Sequence, residues 1–337
     1  MADLSTTYMG VKLKNPLILG ASNLILKPDL VRQIADAGIG AIVYKSLFEE
    51  QIQLEDLQLS EDLTEYEYRN AEMQSLFPNL EHGGPKEFLY NLEKLKKSVE
   101  VPVFASLNAI YDSTWVEYAG ELEKTGIDGL ELNLYSVPGY YEMKGSSIEE
   151  KQLKIVKAVK QAVKIPVSVK ISLFYSNLLN FISSMDKEGA DAYVLFNRFF
   201  QPDIDIEKEK FYFPWELSNP KDYMVSLRFA GLLYGNIKGS ICVNRGIYTA
   251  NDVIKALLAG ADAVQIVSTV YKNKPAVISQ ILGELNEWMD RKGYKTTDSF
   301  RGILSRKSMT DPYVYKRAQY VDILMKPEPV FKKYPMI

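Results

Sequence analysis

Apolar runs and helical stripes alternate along this chain in a fixed rhythm. DAGIGAIVY, KTGIDGLEL, KEGADAYVL and LAGADAVQI each place a glycine (Gly38, Gly126, Gly189 or Gly260) shortly before an apolar run. Glycine takes the left-handed backbone past a helix C-terminus, and an apolar run of this kind suits a parallel strand buried on both faces. Each repeat therefore reads as helix, tight turn and strand. Further short strands lie between them in NPLILGAS, VPVFASLN, IPVSVKIS and KGSICVN. Interleaved, the two sets predict eight strands, near residues 16–22, 41–46, 102–108, 129–135, 166–172, 192–197, 239–244 and 263–268. KEFLYNLEKLKKS, STWVEYAGELEKTG, EEKQLKIVKAVKQAV, TANDVIKALLAG and PAVISQILGELNEWMDRKG separate them, with apolar residues at helical spacing.

Eight βα units in one run predict an α/β fold, a (β/α)8 TIM barrel, with a doubly wound open sheet as the competing arrangement. No linker-like segment interrupts the pattern, so residues 1–337 are expected to form one domain, with a C-terminal tail from about residue 303 packed outside the barrel. Three connections are long: residues 47–85 after strand two, 136–146 after strand four and 198–222 after strand six. All leave the C-terminal ends of strands, the face on which such barrels build their sites.

That face collects polar side chains. Ser22, Lys45 with Ser46, Asn108, Asn133, Lys170, Asn197, Asn244 with Arg245, and Ser268 with Thr269 stand at successive strand ends. Any one of them could be a turn residue. Together they suit an anionic ligand rich in hydrogen-bonding groups. Lys170 lies inside VSVKIS, and a lysine buried there needs an anion, unless it reaches the rim. Its amine could face an electron-rich ring or serve as a Schiff-base nucleophile. VNRGIYTANDV offers Arg245 and Gly246 ahead of a helix opening near Thr249, and IVSTVY offers Ser268 and Thr269, the strand-seven and strand-eight positions where barrels bind phosphate.

Composition narrows the chemistry. Apolar residues make up 47% of the 337-residue chain and charged residues 25%, with a net charge of -3, so no basic footprint for nucleic acid or a membrane surface is present. No segment approaches the roughly 18 apolar residues of a membrane span, and the N-terminus lacks a signal-peptide pattern. A cytoplasmic location is expected. One cysteine, Cys242, and one histidine, His82, exclude an intrachain disulfide and a Cys/His metal cluster. Cys242 reads as a packed core thiol and His82 as a loop residue.

NPLILGAS, AIVYKS, FASLNA, LELNLYS, VSVKIS, FNR and AVQIVSTVYKNKPAVISQILGEL, in this order, resemble the dihydroorotate dehydrogenase family of FMN flavoproteins over nearly the whole chain. The resemblance implies an oxidoreductase of pyrimidine biosynthesis that oxidises a CH–CH bond of dihydroorotate, or of a related small molecule, and passes hydride to FMN. It further implies that Ala21, Ser22, Lys45, Ser46, Asn108, Asn133 and Lys170 line the flavin, while Arg245, Gly246, Ser268 and Thr269 take its phosphate. Asn70, Asn133 and Asn197 would hold substrate. Asn133-Leu-Tyr-Ser136 keeps the family's spacing from Asn to the proton-accepting Cys or Ser, which makes Ser136 the candidate base and Tyr135 an outside candidate. The likeness is to the soluble group, with a homodimer as the expected assembly at most.

This chain also departs from the family. The Pro-Asn that follows the base is missing, and Arg245-Gly246 stands where Gly-Gly is usual. A Schiff-base aldolase using Lys170 and a flavin-binding relative without turnover are the competing functions.

Overall fold

The eight apolar runs pair in parallel and close on themselves. In the computed structural model, which describes residues 2–53, 85–136 and 141–334, the strands are β1 (Leu17–Leu19), β2 (Ala41–Phe48), β3 (Val103–Asn108), β4 (Gly129–Asn133), β5 (Val167–Ile171), β6 (Ala192–Leu195), β7 (Ser240–Val243) and β8 (Ala263–Ile266). Strand order follows chain order and β8 pairs with β1, so the barrel is closed and the open-sheet alternative is excluded. Helices α1 (Pro28–Asp36), α2 (Pro85–Ser98), α3 (Asp112–Lys124), α4 (Gly145–Ala162), α5 (Leu178–Lys187), α6 (Met224–Leu233) and α7 (Ala250–Ala259) lie between successive strands. The short α8 (Ser268–Asn273) and the long α9 (Ala276–Lys292) follow β8.

Local chemistry explains the joints. The four repeated glycines all have positive φ, +98° at Gly38, +78° at Gly126, +93° at Gly189 and +121° at Gly260, as the helix–turn–strand reading requires. Helix α7 opens as the sequence suggests: Thr249 and Asp252 form a capping box, with the Asp252 carboxylate accepting the Thr249 N–H at 3.0 Å. Several strands end earlier than the apolar runs. β4 stops at Asn133, β6 at Leu195 and β8 at Ile266; beyond β6 the chain leaves the ladder with Phe196 and Asn197 still buried.

Alternation divides the core in two. Outward residues such as Ile42, Val103, Leu130, Val169 and Leu195 pack beneath the helices. Inward residues Ile18, Val43, Phe104, Val194 and Cys242 form a separate apolar cluster toward the N-terminal end. That end is plugged by the hairpin Thr6–Tyr8/Val11–Leu13, whose Tyr8, Met9 and Leu13 join the inner cluster. Cys242 is fully buried there, and burial pushes its thiol well above the usual range, which agrees with a packed core residue.

Excursions leave the opposite end. The segment after β6 folds back as an antiparallel hairpin, Asp203–Asp205 with Lys210–Tyr212. The segment after β2 contains Asn70 and His82, which lie outside the described residues. The tail docks outside the barrel on α6: Arg228 donates to Val314 O and Tyr315 O at 3.4 Å, and the Tyr315 hydroxyl donates to Leu304 O at 2.7 Å. Beyond it, helices α10 (Arg317–Met325) and α11 (Glu328–Lys333) bury no residue.

Gly40, just ahead of β2, tests the tightness of closure. A Cβ there would lie 2.3 Å from Asn15 O and 2.9 Å from Leu17 O, both backbone atoms that cannot swing aside. Gly40→Ala should destabilise by about 2 kcal/mol or more, in the range of overpacked cores. Gly120→Ala, in α3 with nothing within 4 Å of the added carbon, should stabilise by about 0.5–1 kcal/mol. Urea unfolding of both variants checks the contrast, and similar values for the two would refute it.

Candidate active site

Strand alternation turns polar toward the mouth. Above the apolar cluster the inward positions are Ser106 on β3, Glu131 on β4, Ser168 on β5 and Gln265 on β8, all buried. Glu131 organises them. Its Oε2 accepts a hydrogen bond of 2.6 Å from Gln265 Nε2, and its Oε1 lies 3.5 Å from Lys170 Nζ. β4 and β8 stand four strands apart in the closed order, so the Glu131–Gln265 bond spans the barrel interior. Lys170 is 14% exposed and Glu131 only 1%, so the anion that a lysine in VSVKIS demands is supplied by the barrel itself.

Glu131 was not singled out in the sequence. The signal was there: a carboxylate alternating with leucines in LELN must face inward if the leucines face the helices.

Ser46 reaches the inner face because β2 carries a bulge at Lys45. The register against β3 slips between Tyr44 and Ser46, which adds one residue and returns Ser46 to the inner face. There the Ser46 hydroxyl bonds the Ser106 hydroxyl at 2.8 Å. Lys45 is half-buried with its ammonium 6.0 Å from the centre of the Phe88 ring, and burial lowers its pKa against the opposing pull of Glu87. Asn108 ends β3, half-buried. Just past β2, the buried carboxylate of Glu49 accepts the Tyr111 N–H at 3.0 Å and that of Ile110 as well, which holds the loop after Asn108 in place.

Four buried side-chain atoms at this end make no hydrogen bond among the described residues: Ser22 Oγ, Asn133 Oδ1, Asn244 Oδ1 and Arg245 Nε. They follow or end β1, β4 and β7. Buried polar atoms are nearly always paired in native proteins, so a ring of orphans around one opening marks groups aimed at a ligand. Ala21 stands beside Ser22. Asn197 is already engaged, donating to Lys170 O at 3.2 Å.

The strand-seven and strand-eight loops meet around Ser218. Ser268 Oγ accepts the Ser218 N–H at 3.0 Å, and the Tyr248 hydroxyl donates to Ser218 O. Thr269 is fully buried, where its hydroxyl accepts from Asn273 Nδ2 at 3.1 Å. Among the described residues Thr269 both donates and accepts, whereas Ser268 only accepts and keeps its O–H free, so an incoming phosphate would meet that hydroxyl and backbone N–H groups. Gly246 has φ +64°, and a Cβ there would lie 2.3 Å from Asn219 O, so only glycine fits.

Ser136 and Tyr135 follow β4 into a cavity of about 200 Å³, which is also lined by Asn197, Phe199, Gln201 and Arg245. β4 ends at Asn133, before strand alternation could separate the two residues. Tyr135 stacks on Phe199 with ring centres 5.9 Å apart, while Ser136 is exposed and makes no hydrogen bond among the described residues.

The family model for dihydroorotate dehydrogenase matches residues 77–289. The chain belongs to the dihydroorotate dehydrogenase family. Its relatives include the protein named dihydroorotate dehydrogenase B (NAD(+)), catalytic subunit, in several organisms. The Methanocella arvoryzae protein is 31% identical over 88% of this chain and 96% of its own length. That of Pyrococcus abyssi is 29% identical over 89% and 98%, and that of Thermoplasma volcanium 27% over 91% and 100%. Dihydroorotate dehydrogenases are in general FMN-dependent, and the orphaned atoms above Lys170 fit such a group.

Glu131→Gln should cost about 3 kcal/mol of stability, because it leaves the Lys170 ammonium buried without its counter-charge. Combined with Lys170→Met, the loss should fall short of the sum of the single losses by about 1 kcal/mol or more. Denaturant unfolding of the flavin-free proteins measures this coupling, and strict additivity would show that the pair carries no interaction.

Proposed function

We propose that this chain is an FMN-dependent oxidoreductase that oxidises a CH–CH bond of dihydroorotate or a closely related small molecule. The observation that carries the proposal is the set of unpaired buried atoms of Ser22, Asn133 and Asn244 around the mouth, above an internally balanced Lys170, in a chain of this family. Bound FMN would supply the hydride acceptor, and every other requirement falls on side chains.

In this reading Ala21, Ser22, Lys45, Ser46, Asn108, Asn133 and Lys170 would hold the flavin, with Lys170 supplying positive charge to its ring. The phosphate lies between the strand-seven and strand-eight loops, on backbone donors of Gly246, Ser268 and Thr269. Asn133 and Asn197 hold substrate, with Asn70 assigned the same task from outside the described residues. Ser136 takes the proton from the substrate carbon adjacent to the one that loses hydride. A serine hydroxyl is a weak base, so it must pass its own proton on, and its exposure lets water receive it.

The Schiff-base alternative needs Lys170 as a free amine, whereas the geometry gives it a carboxylate partner. Family membership favours the flavin reading over it. We further propose one domain over residues 1–337, a cytoplasmic location and a homodimer. No helix among the described residues is long and apolar enough to cross a membrane. The relatives' names mention NAD(+), which makes that nucleotide the first electron acceptor to test.

Anaerobic titration of the FMN-loaded protein with dihydroorotate should bleach the flavin absorbance. A protein that takes up no FMN, or whose flavin stays oxidised, would refute the proposal. Ser136→Ala should slow reduction by about 100-fold, the lower end of general-base contributions. An unchanged rate would place the base elsewhere. Lys170→Ala should lower the reduction potential of bound FMN, since a cation beside the ring favours the anionic reduced form. An unchanged potential would remove Lys170 from the ring.

A further inference from the structure

Among the described residues, the Arg245 side chain at the mouth makes no hydrogen bond or ion pair, its Nε being buried and unsatisfied. It lines the cavity beside Ser136 and Asn197. Nearby charges do not serve it. Arg198 is already used: it donates to Glu216 Oε2 at 3.3 Å and to Ser218 Oγ at 3.4 Å, and lies over the Phe200 ring at 5.2 Å. The carboxylate of Asp222 is the neighbouring anion, but it accepts the Asn219 N–H at 2.9 Å and forms no ion pair with Arg245. Burial lowers the Arg245 pKa, the Asp222 charge opposes that effect from a distance, and Arg198 adds to it.

Its backbone is held in an uncommon state. Arg245 has φ +66°, a region that residues with a Cβ seldom occupy, and the following Gly246 is wedged against Asn219 and Asp222. That geometry fixes where the side chain departs. Aromatic rings form one wall, where Tyr135 stacks on Phe199 and Phe174 meets Phe199 edge-on at 5.6 Å, while Ser136, Ser172, Asn197 and Gln201 add polar groups. The cavity of about 200 Å³ is smaller than the roughly 300–1,000 Å³ of sites for drug-sized ligands. It suits one small ring.

We infer that Arg245 anchors the carboxylate of the substrate, a small planar or partly unsaturated ring acid, instead of the phosphate of the flavin. A guanidinium fork grips a carboxylate through two parallel hydrogen bonds, which sets the rotation of the ring in its plane as well as its depth. With the carboxylate on Arg245 and the ring beside Tyr135 and Phe199, the ring carbons lie along the wall that Ser136 shares. The inference rests on the flavin reading for the reaction, but the cavity and its arginine do not depend on FMN.

Calorimetric titration of the FMN-saturated protein with orotate and with its uncharged carboxamide tests it, alongside FMN affinity measured by fluorescence quenching. The parental protein should prefer orotate over the amide by roughly tenfold or more, as a charge-assisted bidentate contact requires. Arg245→Gln should abolish that preference and Arg245→Lys restore part of it, while FMN affinity changes by less than about threefold. Absence of the preference in the parental protein, or its survival in Arg245→Gln, would overturn the inference. So would a loss of FMN affinity matching the loss of orotate, which would assign Arg245 to the phosphate. Should the parental protein bind no FMN, the flavin reading fails, and the same titrations on the flavin-free protein still decide the role of Arg245.

Discussion

A carboxylate at 1% exposure inside a barrel must be satisfied from within, and Glu131 is satisfied from both sides. Gln265 reaches it across the interior and Lys170 from the adjacent strand, so three strands are tied to one charge. Burying an ion pair is costly unless hydrogen bonds complete it. Here the amide of Gln265 supplies such a bond, and Gly20 leaves room for it: a Cβ at that position would lie 3.2 Å from Gln265 Oε1. The apolar plug below, from Tyr8 to Cys242, keeps water out of that end, and the polar mouth above depends on Lys170 being held in place.

The same division explains why the mouth can leave polar atoms unpaired. Below it, ladders, helix packing and the inner cluster supply stability, so the rim need not contribute its share. Ser22, Asn133, Asn244 and Arg245 carry a local cost that a bound ligand or ordered water would remove. Where side chains at the rim are satisfied, they position others: Ser268 holds the Ser218 backbone and Glu49 holds the Ile110–Tyr111 turn.

Much of the fold was legible because its signals are local. A glycine past each of four helices, a Thr–Asp capping pair and apolar runs of strand length are read within a dozen residues, and the barrel follows from their order. The polar strand ends were legible for the same reason. What escaped was what depends on distance or on register. Glu131 and Gln265 are 134 positions apart, and nothing local announces that β4 and β8 face each other. The bulge at Lys45 that turns Ser46 to the inner face is a one-residue slip against β3, invisible without the partner strand. Ser268 and Thr269 read as phosphate ligands, but the bonds by which Ser268 also accepts the Ser218 N–H and Thr269 the Asn273 amide exist only once the loops meet.

The cations of the mouth thus fall into different electrostatic states, and that difference bears on what each can do. Lys170 has Glu131 beneath it, so its field toward the mouth is that of a dipole with the positive end up, strong at contact and weak beyond. Such a charge can act on a ring lying directly against it while adding little to the net potential of the opening. Arg245 has no carboxylate in contact among the described residues, with Asp222 acting only from a distance, so it keeps a longer reach and can draw an anion into the cavity. Lys45 lies between these cases, half-buried with its charge disfavoured by desolvation and supported only by Glu87 at a distance. One site can therefore separate short-range influence on the ring from longer-range capture of a charged partner, using residues that differ mainly in whether the barrel supplies their counter-ion.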